Sequence, residues 1–347
     1  MRRPILHIAA VYVAMATAPL AQAADECAAF LADIQFCYAD IGLDVAAQES
    51  PEEGGFLNSE APSGSVVYVY ATPTALPVPQ NPQEHLDAMN SGYLLETGAS
   101  EKREILSSGR DLDAPLTVLR SVRYSFAADQ ERVFAITTIL LDGINVTVMT
   151  VESGVGANYT DDHQARHVSA LNAMQFPKTD IGCHALPAGQ QLCTADTIWR
   201  DLTPYFTSFG LALTNVDDAE RNLLITQTGP ADPERSFDAE FVGQINQRLV
   251  AADMSSVEYA DTVSSTANGR DWQVVDYTAE TQNGTQISGR SSTSIADSLF
   301  QSIRTSRTAT AAEDSPTALA EIHEQARASL SSRPTGDAGW IRLELKD

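Results

Sequence analysis

The chain has 347 residues, with 46 acidic and 22 basic side chains and a formal charge of −24. Such a charge opposes nucleic acid and anionic lipid, because there is no basic patch to replace condensed counterions. It speaks for solubility and says little about fold. Residues 1–23 read as a secretory signal peptide: Arg2 and Arg3 precede an apolar run, and Ala21-Gln22-Ala23 forms an A-x-A cleavage site. The run falls short of the roughly 20 apolar residues of a membrane span. A periplasmic or secreted protein beginning at Ala24 is therefore expected, without a transmembrane anchor. Losing two of the 22 basic residues moves its charge from −24 to −26.

The elements follow in chain order. Between Cys27 and Cys37 a short helical turn around residues 28–32 and a strand through Ile34, Phe36 and Tyr38 are predicted. Residues 51–55 and 62–64 read as loops, and the β-branched run 66–70 as a strand buried on both faces. The proline-rich passage 73–82 reads as a rigid surface loop rather than a polyproline ligand. Leu86, Met89, Tyr93 and Leu94 then follow the spacing of one helical face, with Asn81-Pro82 at its start. Strands at 116–119 and 122–126 precede a hairpin, 133–141 with 144–151, turning on Asp142-Gly143. A closing helix opens near Thr160-Asp161-Asp162 and runs to Phe176, before Pro177.

The second half repeats this plan. A strand is predicted at 223–226, a helix at 236–252, strands through 272–277 and a turn at Asn283-Gly284. The serine-rich strands near Ile295 and at 299–303 promise a thinner core. A last helix follows Ser315-Pro316, and the alternating tail 340–345 reads as an added edge strand or a docking segment. Cys27 and Cys37 recur as Cys183 and Cys193, 156 positions on. At that offset Val67, Tyr68 and Val69 meet Leu223, Leu224 and Ile225. Four cysteines allow three connectivities; the repeat favours Cys27–Cys37 and Cys183–Cys193, each bracketing a chain reversal. The expected fold class is α+β: two tandem repeats of an antiparallel sheet flanked by helices, at residues 24–176 and 183–331. Residues 177–182 form the linker and 332–347 the tail.

This order of elements, carried by residues 66–70, 86–94, the Asp142-Gly143 hairpin and residues 168–176, resembles the α/β sandwich of the PsbP and DcrB-like exported proteins, here in tandem. The resemblance implies an accessory protein of the periplasm or lumen that acts through surfaces, with no catalytic residue to carry over. The local disulfides depart from a typical member.

The sequence contains no H-E-x-x-H, G-x-S-x-G, phosphate-loop or dinucleotide fingerprint. His163 and His167 stand at i and i+4 and, with Asp162, would offer a metal set; the preferred reading is a solvated helix start with capping acids. Alanine at both histidines is then expected to leave stability nearly unchanged. Gly-Arg-Asp recurs at 109–111 and 269–271, making Arg110, Asp111, Arg270 and Asp271 candidate binding residues, against a plain turn. The function expected is a non-catalytic accessory or binding protein without a cofactor, whose partner is an envelope protein or small ligand. The alternative is an exported metal-dependent hydrolase using His163 and His167.

Overall fold

The structure, a computed structural model, describes residues 27–50, 52–57, 65–73, 101–110, 116–127, 130–141, 143–153, 160–200, 202–214, 222–252, 254–308 and 316–343. The expected signal peptide, the helix predicted over residues 82–94, and Asp111, Asp142 and Ser315 lie outside them. Two compact units are present: residues 27–178 with 205–208 and 334–343, and residues 179–333 apart from 205–208.

Both are mainly β, which overturns the expected α+β sandwich: antiparallel sheets dominate, with three α-helices among the described residues. The expectation failed because it took several polar or glycine-containing segments as loops. Residues 53–57, for example, form a strand in which Gly54 and Phe56 are buried.

The N-terminal unit contains β1 (Ala28–Ala29), β2 (Gln35–Phe36), β3 (Asp44–Ser50), β4 (Glu53–Leu57), β5 (Val66–Pro73), β6 (Glu101–Arg110), β7 (Leu116–Ala127), β8 (Gln130–Leu141), β9 (Ile144–Ser153), α1 (Asp161–Asn172) and β10 (Met174–Pro177). The large sheet has the order β3-β4-β5-β9-β8-β7-β6. Its β8–β9 hairpin closes from Leu141 to Ile144, with Gly143 at φ 81°, the left-handed conformation that a two-residue turn requires. Helix α1 ends before Met174, and Met174 and Phe176 belong to a strand instead of the predicted helix. That strand joins the small sheet, where Phe36 packs edge-on against Phe56 at 4.7 Å.

The C-terminal unit continues with β11 (Cys183–Leu186), β12 (Gln190–Cys193), β13 (Thr203–Thr207), β14 (Gly210–Thr214), β15 (Asn222–Pro230), α2 (Ala239–Ala251), β16 (Met254–Tyr259), β17 (Val263–Ala267), β18 (Arg270–Thr281), β19 (Gln286–Ala296), β20 (Leu299–Thr308), α3 (Pro316–Ala328) and β21 (Leu330–Ser332). Its large sheet runs β13-β14-β15-β20-β19-β18-β16, the same path as in the first unit. Disulfides join Cys27 to Cys37 and Cys183 to Cys193. The second links directly opposed residues of the β11–β12 hairpin, which turns through Ala188 and Gly189 at positive φ.

The small sheets share one register: Ala28↔Phe36 and Met174↔Phe36 match His184↔Leu192 and Leu192↔Leu330, each residue displaced by 156. The large sheets drift from that offset. Val67, Val69 and Ala71 are buried, and so are Leu224, Thr226 and Thr228, 157 positions on. Pairing Val67 with Leu223 is therefore wrong by one residue, and a slip of one reverses every face of a strand. The closing turn of β19 and β20, Asp297-Ser298, lies 155 after Asp142-Gly143, with both residues at positive φ. The chain ends the described region in β22 (Trp340–Arg342), which pairs with β10 in the N-terminal unit.

The serine-rich strands expected to be thin are long and buried: Ser291, Ser292, Thr293 and Ser294 are all at most 1% exposed. They carry helices on both faces. Asn246 of α2 donates to the carbonyls of Gln273 and Ser291 and accepts from the hydroxyls of Ser291 and Thr293. Ser292 faces the opposite way, toward α3. Hydrogen bonds here join helix to sheet where apolar contact does so in most cores.

Candidate functional site

Helix α1 opens where Thr160 accepts a hydrogen bond from the backbone of His163 at 3.2 Å. One turn on, His167 follows on the same face, and both imidazoles enter the interface with β8 and β9, at 0% and 5% exposure. His167 Nε2 is 2.8 Å from the Thr137 hydroxyl and its Nδ1 3.0 Å from that of Thr150. His163 Nε2 lies 3.1 Å from the same Thr150 oxygen. A hydroxyl has one proton, so Thr150 donates to at most one of the two rings. The solvated helix start expected from the sequence is corrected: this face is the core.

The C-terminal unit holds the same device. His323 of α3, 156 residues after His167 and fully buried, has Nε2 2.7 Å from Ser292 and Nδ1 2.9 Å from Thr305. These hydroxyls stand at the strand positions of Thr137 and Thr150, each 155 on. Leu319 takes the place of His163.

Charges surround both interfaces. Glu152 pairs with Arg166 and lies 3.8 Å from His163 Nδ1. Burial lowers the His163 pKa below its ordinary value; Glu152 opposes this and Arg166 adds to it. Burial pushes His323 well down, helped by Arg327 and Arg290. Arg327 is itself buried, 5.2 Å above the Trp272 ring and bonded to Glu324 at 3.1 Å. Both neutral imidazoles are thus helix-to-sheet fasteners.

Asp162 is exposed while the two histidines point inward, so the three do not converge. Among the described residues no group of three His, Cys, Asp or Glu side chains is placed to hold a metal. The Gly-Arg-Asp motifs fall on different strands. Arg110 ends β6 opposite Thr117, whereas Arg270 begins β18, the counterpart of β7. Arg270 donates to the carbonyls of Ala296 and Leu299 at the β19–β20 turn. Asp271 accepts from Thr266 at 2.9 Å. Arg270 and Asp271 are thus used locally.

An open cleft of about 350 Å³ lies between the sheet and the N-terminal turns of α3. Its floor is a row of directly opposed residues, Glu258, Thr278, Ser288 and Arg307, on β16, β18, β19 and β20. At about 4.8 Å per strand the row is about 14 Å long. Asp276 forms one wall and is held by Arg290 through two bonds of 2.6 and 2.7 Å. Leu319, one turn before His323, lines the cleft from the helix side. No spacing in the sequence points to these residues: they lie on four strands, and only the register aligns them.

No protein-family model matches the chain, and no curated protein matches it. Solved structures similar to it include cyanobacterial PsbP (CyanoP) from Synechocystis sp. PCC 6803, at 8% identity over 46% of this chain and 92% of that one, with a TM-score of 0.29. The T6SS immunity protein TplEi of Pseudomonas aeruginosa, solved with an "L" peptide, aligns over 85% of this chain and 99% of its own, at 8% identity and a TM-score of 0.33. A Tle4-Tli4 complex gives 85% and 99%, 9% identity and a TM-score of 0.31. At such TM-scores these likenesses define neither a family nor a role.

Proposed function

We propose that the chain is an exported, non-catalytic binding or accessory protein built from two duplicated domains, residues 24–176 and 183–331, joined by 177–182. The observation that carries this reading is the burial of His163, His167 and His323, with hydroxyl partners, inside the helix–sheet interfaces. A substrate cannot reach rings that are 0–5% exposed. Two disulfides suit an oxidising compartment, the A-x-A site suits export, and no described helix is long and apolar enough to cross a membrane. The matched strand order supports duplication.

The test is made on protein recovered from the envelope or medium. Its terminus should be Ala24, and elemental analysis should find no stoichiometric metal. The double variant His163→Ala/His167→Ala should melt earlier than the wild type. Zinc at one per chain that vanishes in that variant, with loss of a hydrolytic activity, would establish the enzyme reading instead.

A further inference from the structure

Among the described residues, every sheet edge of five residues or more is blunted against further strand pairing, except one. β3 has register shifts after Val45 and Ala47, β6 one after Glu104, and β16 one after Met254. β13 holds Pro204, which cannot donate to a ladder. The small sheets end in strands of two to four residues. Bulges, proline and shortness are devices by which a sheet edge avoids a second chain. β17 has none of them. Its five residues, Val263-Ser264-Ser265-Thr266-Ala267, are uncharged, pair with β18 without a register shift, and lie on the side of β18 away from β19.

The turn determines which backbone groups are left over. Asn268 and Gly269, at φ 52° and 72°, form a two-residue turn closed by Ala267 and Arg270, so Ala267, Ser265 and Val263 exchange hydrogen bonds with β18. The N–H and C=O of Ser264 and Thr266 therefore point outward, and nothing among the described residues bonds them. Their side chains are occupied, Ser264 with Gln273 and Thr266 with Asp271. Val263, at the end of the row, is 60% exposed. Outward donors and acceptors beside an exposed apolar side chain form a template for one more strand.

The strand that fits is β17 of a second copy. Antiparallel pairing about a two-fold axis at Ser265 sets Ser264 of each chain against Thr266 of the other, so every outward-facing residue of both strands is bonded. An axis at Ser264 or Thr266 would bring in Thr262 or Asn268, which lie outside the strand. In the Ser265 register Val263 stands beside the small Ala267 of the other chain, so the exposed side chain is covered without a clash. Charge favours the same occupant. The chain carries −24, and near a two-fold axis each charge meets its own sign. Residues 262–269 contain no charged side chain, so this ladder opposes no like charges.

We propose that two copies of the chain pair through β17, continuing the large sheet of the C-terminal unit across a two-fold axis. The inference goes beyond the reading as an accessory protein and does not depend on it. A five-residue ladder is smaller than the interface of a permanent dimer, so the association is weak, with a dissociation constant of about 0.1–1 mM.

Sedimentation equilibrium of the full mature chain tests it. The weight-average mass should rise toward that of a dimer as the concentration approaches about 1 mM. Ser264→Pro removes an outward N–H that β18 does not use and should weaken the association about tenfold or more; circular dichroism establishes that it folds. Covalent trapping is independent of that variant. Residues opposed in a non-hydrogen-bonded pair have Cα atoms about 4.5 Å apart, within disulfide reach. Ser265→Cys should therefore give a disulfide-linked dimer on air oxidation. Val263→Cys should not, because about 13 Å of strand separates that position from its own copy. A chain monomeric at about 1 mM would overturn the proposal, as would association indifferent to Ser264→Pro, or equal cross-linking at Val263 and Ser265. Protection of the Ser264 and Thr266 amides from hydrogen exchange by another envelope protein, with the chain itself monomeric, would also overturn it and give the edge to that partner.

Discussion

His323 shows how one side chain can set the pH response of an interface. The unfolded chain titrates near 6.5, whereas burial and then the charges of Arg327 and Arg290 hold the folded ring well below it. A lowered histidine pKa means that the folded state disfavours the proton. Its contribution is complete above about pH 6.5 and is lost as the pH falls toward the folded value. Denaturant midpoints should therefore drop between pH 7 and pH 5, and His163, lowered in the same direction, adds to the effect. His323→Gln should flatten that dependence and lower the midpoint at pH 7; a variant with the wild-type slope would show that other groups set it. The hydroxyl partners are tested separately. Thr305→Val leaves His323 Nδ1 without its 2.9 Å partner and should cost about 1–3 kcal/mol at neutral pH, the penalty for a buried polar group left unpaired. The i, i+4 histidine spacing was legible in the sequence, but its meaning was not. The same spacing serves a metal or a core, and only the threonines on β8 and β9, brought in by long-range pairing, decide between them.

At the level of elements, local signals were read well and long-range pairing was not. The Asp142-Gly143 turn, the α2 helix and the strand character of residues 66–70 follow from propensity and period. Strands such as β4 and β16 gave no such signal, since residues 53–57 and 254–259 are polar or glycine-rich and become strands by pairing with β3 and β5 and with β18. The hydroxyl-rich strands β19 and β20 misled for a related reason: serine counts as polar in a pattern, yet Asn246 and His323 satisfy it from both sides. A further consequence falls at Gly289. A Cβ there would stand 2.1 Å from Cζ of Tyr277, whose ring crosses the neighbouring strand. Gly289→Ala should displace that ring and destabilise the unit by about 1–3 kcal/mol, as overpacking does, seen as an earlier thermal transition. Cys183→Ser with Cys193→Ser should cost about 2–3 kcal/mol, the range for closing a short loop. A melting temperature unchanged under non-reducing conditions would show that the hairpin needs no staple.

For the whole molecule, the tail is the part whose placement the sequence left open, between an added strand and an exposed docking segment. The structure makes it a strand, and one that returns to the N-terminal unit. Gln175, Phe176 and Pro177 of β10 pair with Arg342, Ile341 and Trp340, Lys178 donates to the Gly339 carbonyl at 2.9 Å, and Leu343 beyond is 2% exposed. Residues 340–342 therefore complete the small sheet of the first unit, whose other strands all lie before residue 178. The matching sheet β11-β12-β21 has no fourth strand among the described residues, so the addition is specific to one unit. A chain ending at Arg333 should keep the C-terminal unit intact and lose the burial of Leu343, a contribution of about 1.5–3 kcal/mol, together with the β10 ladder. Hydrogen exchange resolves the two units: amides of residues 174–178 should exchange faster in the truncated chain, while those of residues 183–193 should keep their protection. Equal protection at 174–178 in both chains would mean that the tail contributes nothing to the first unit. Loss of protection at 183–193 as well would mean that it supports the second unit too.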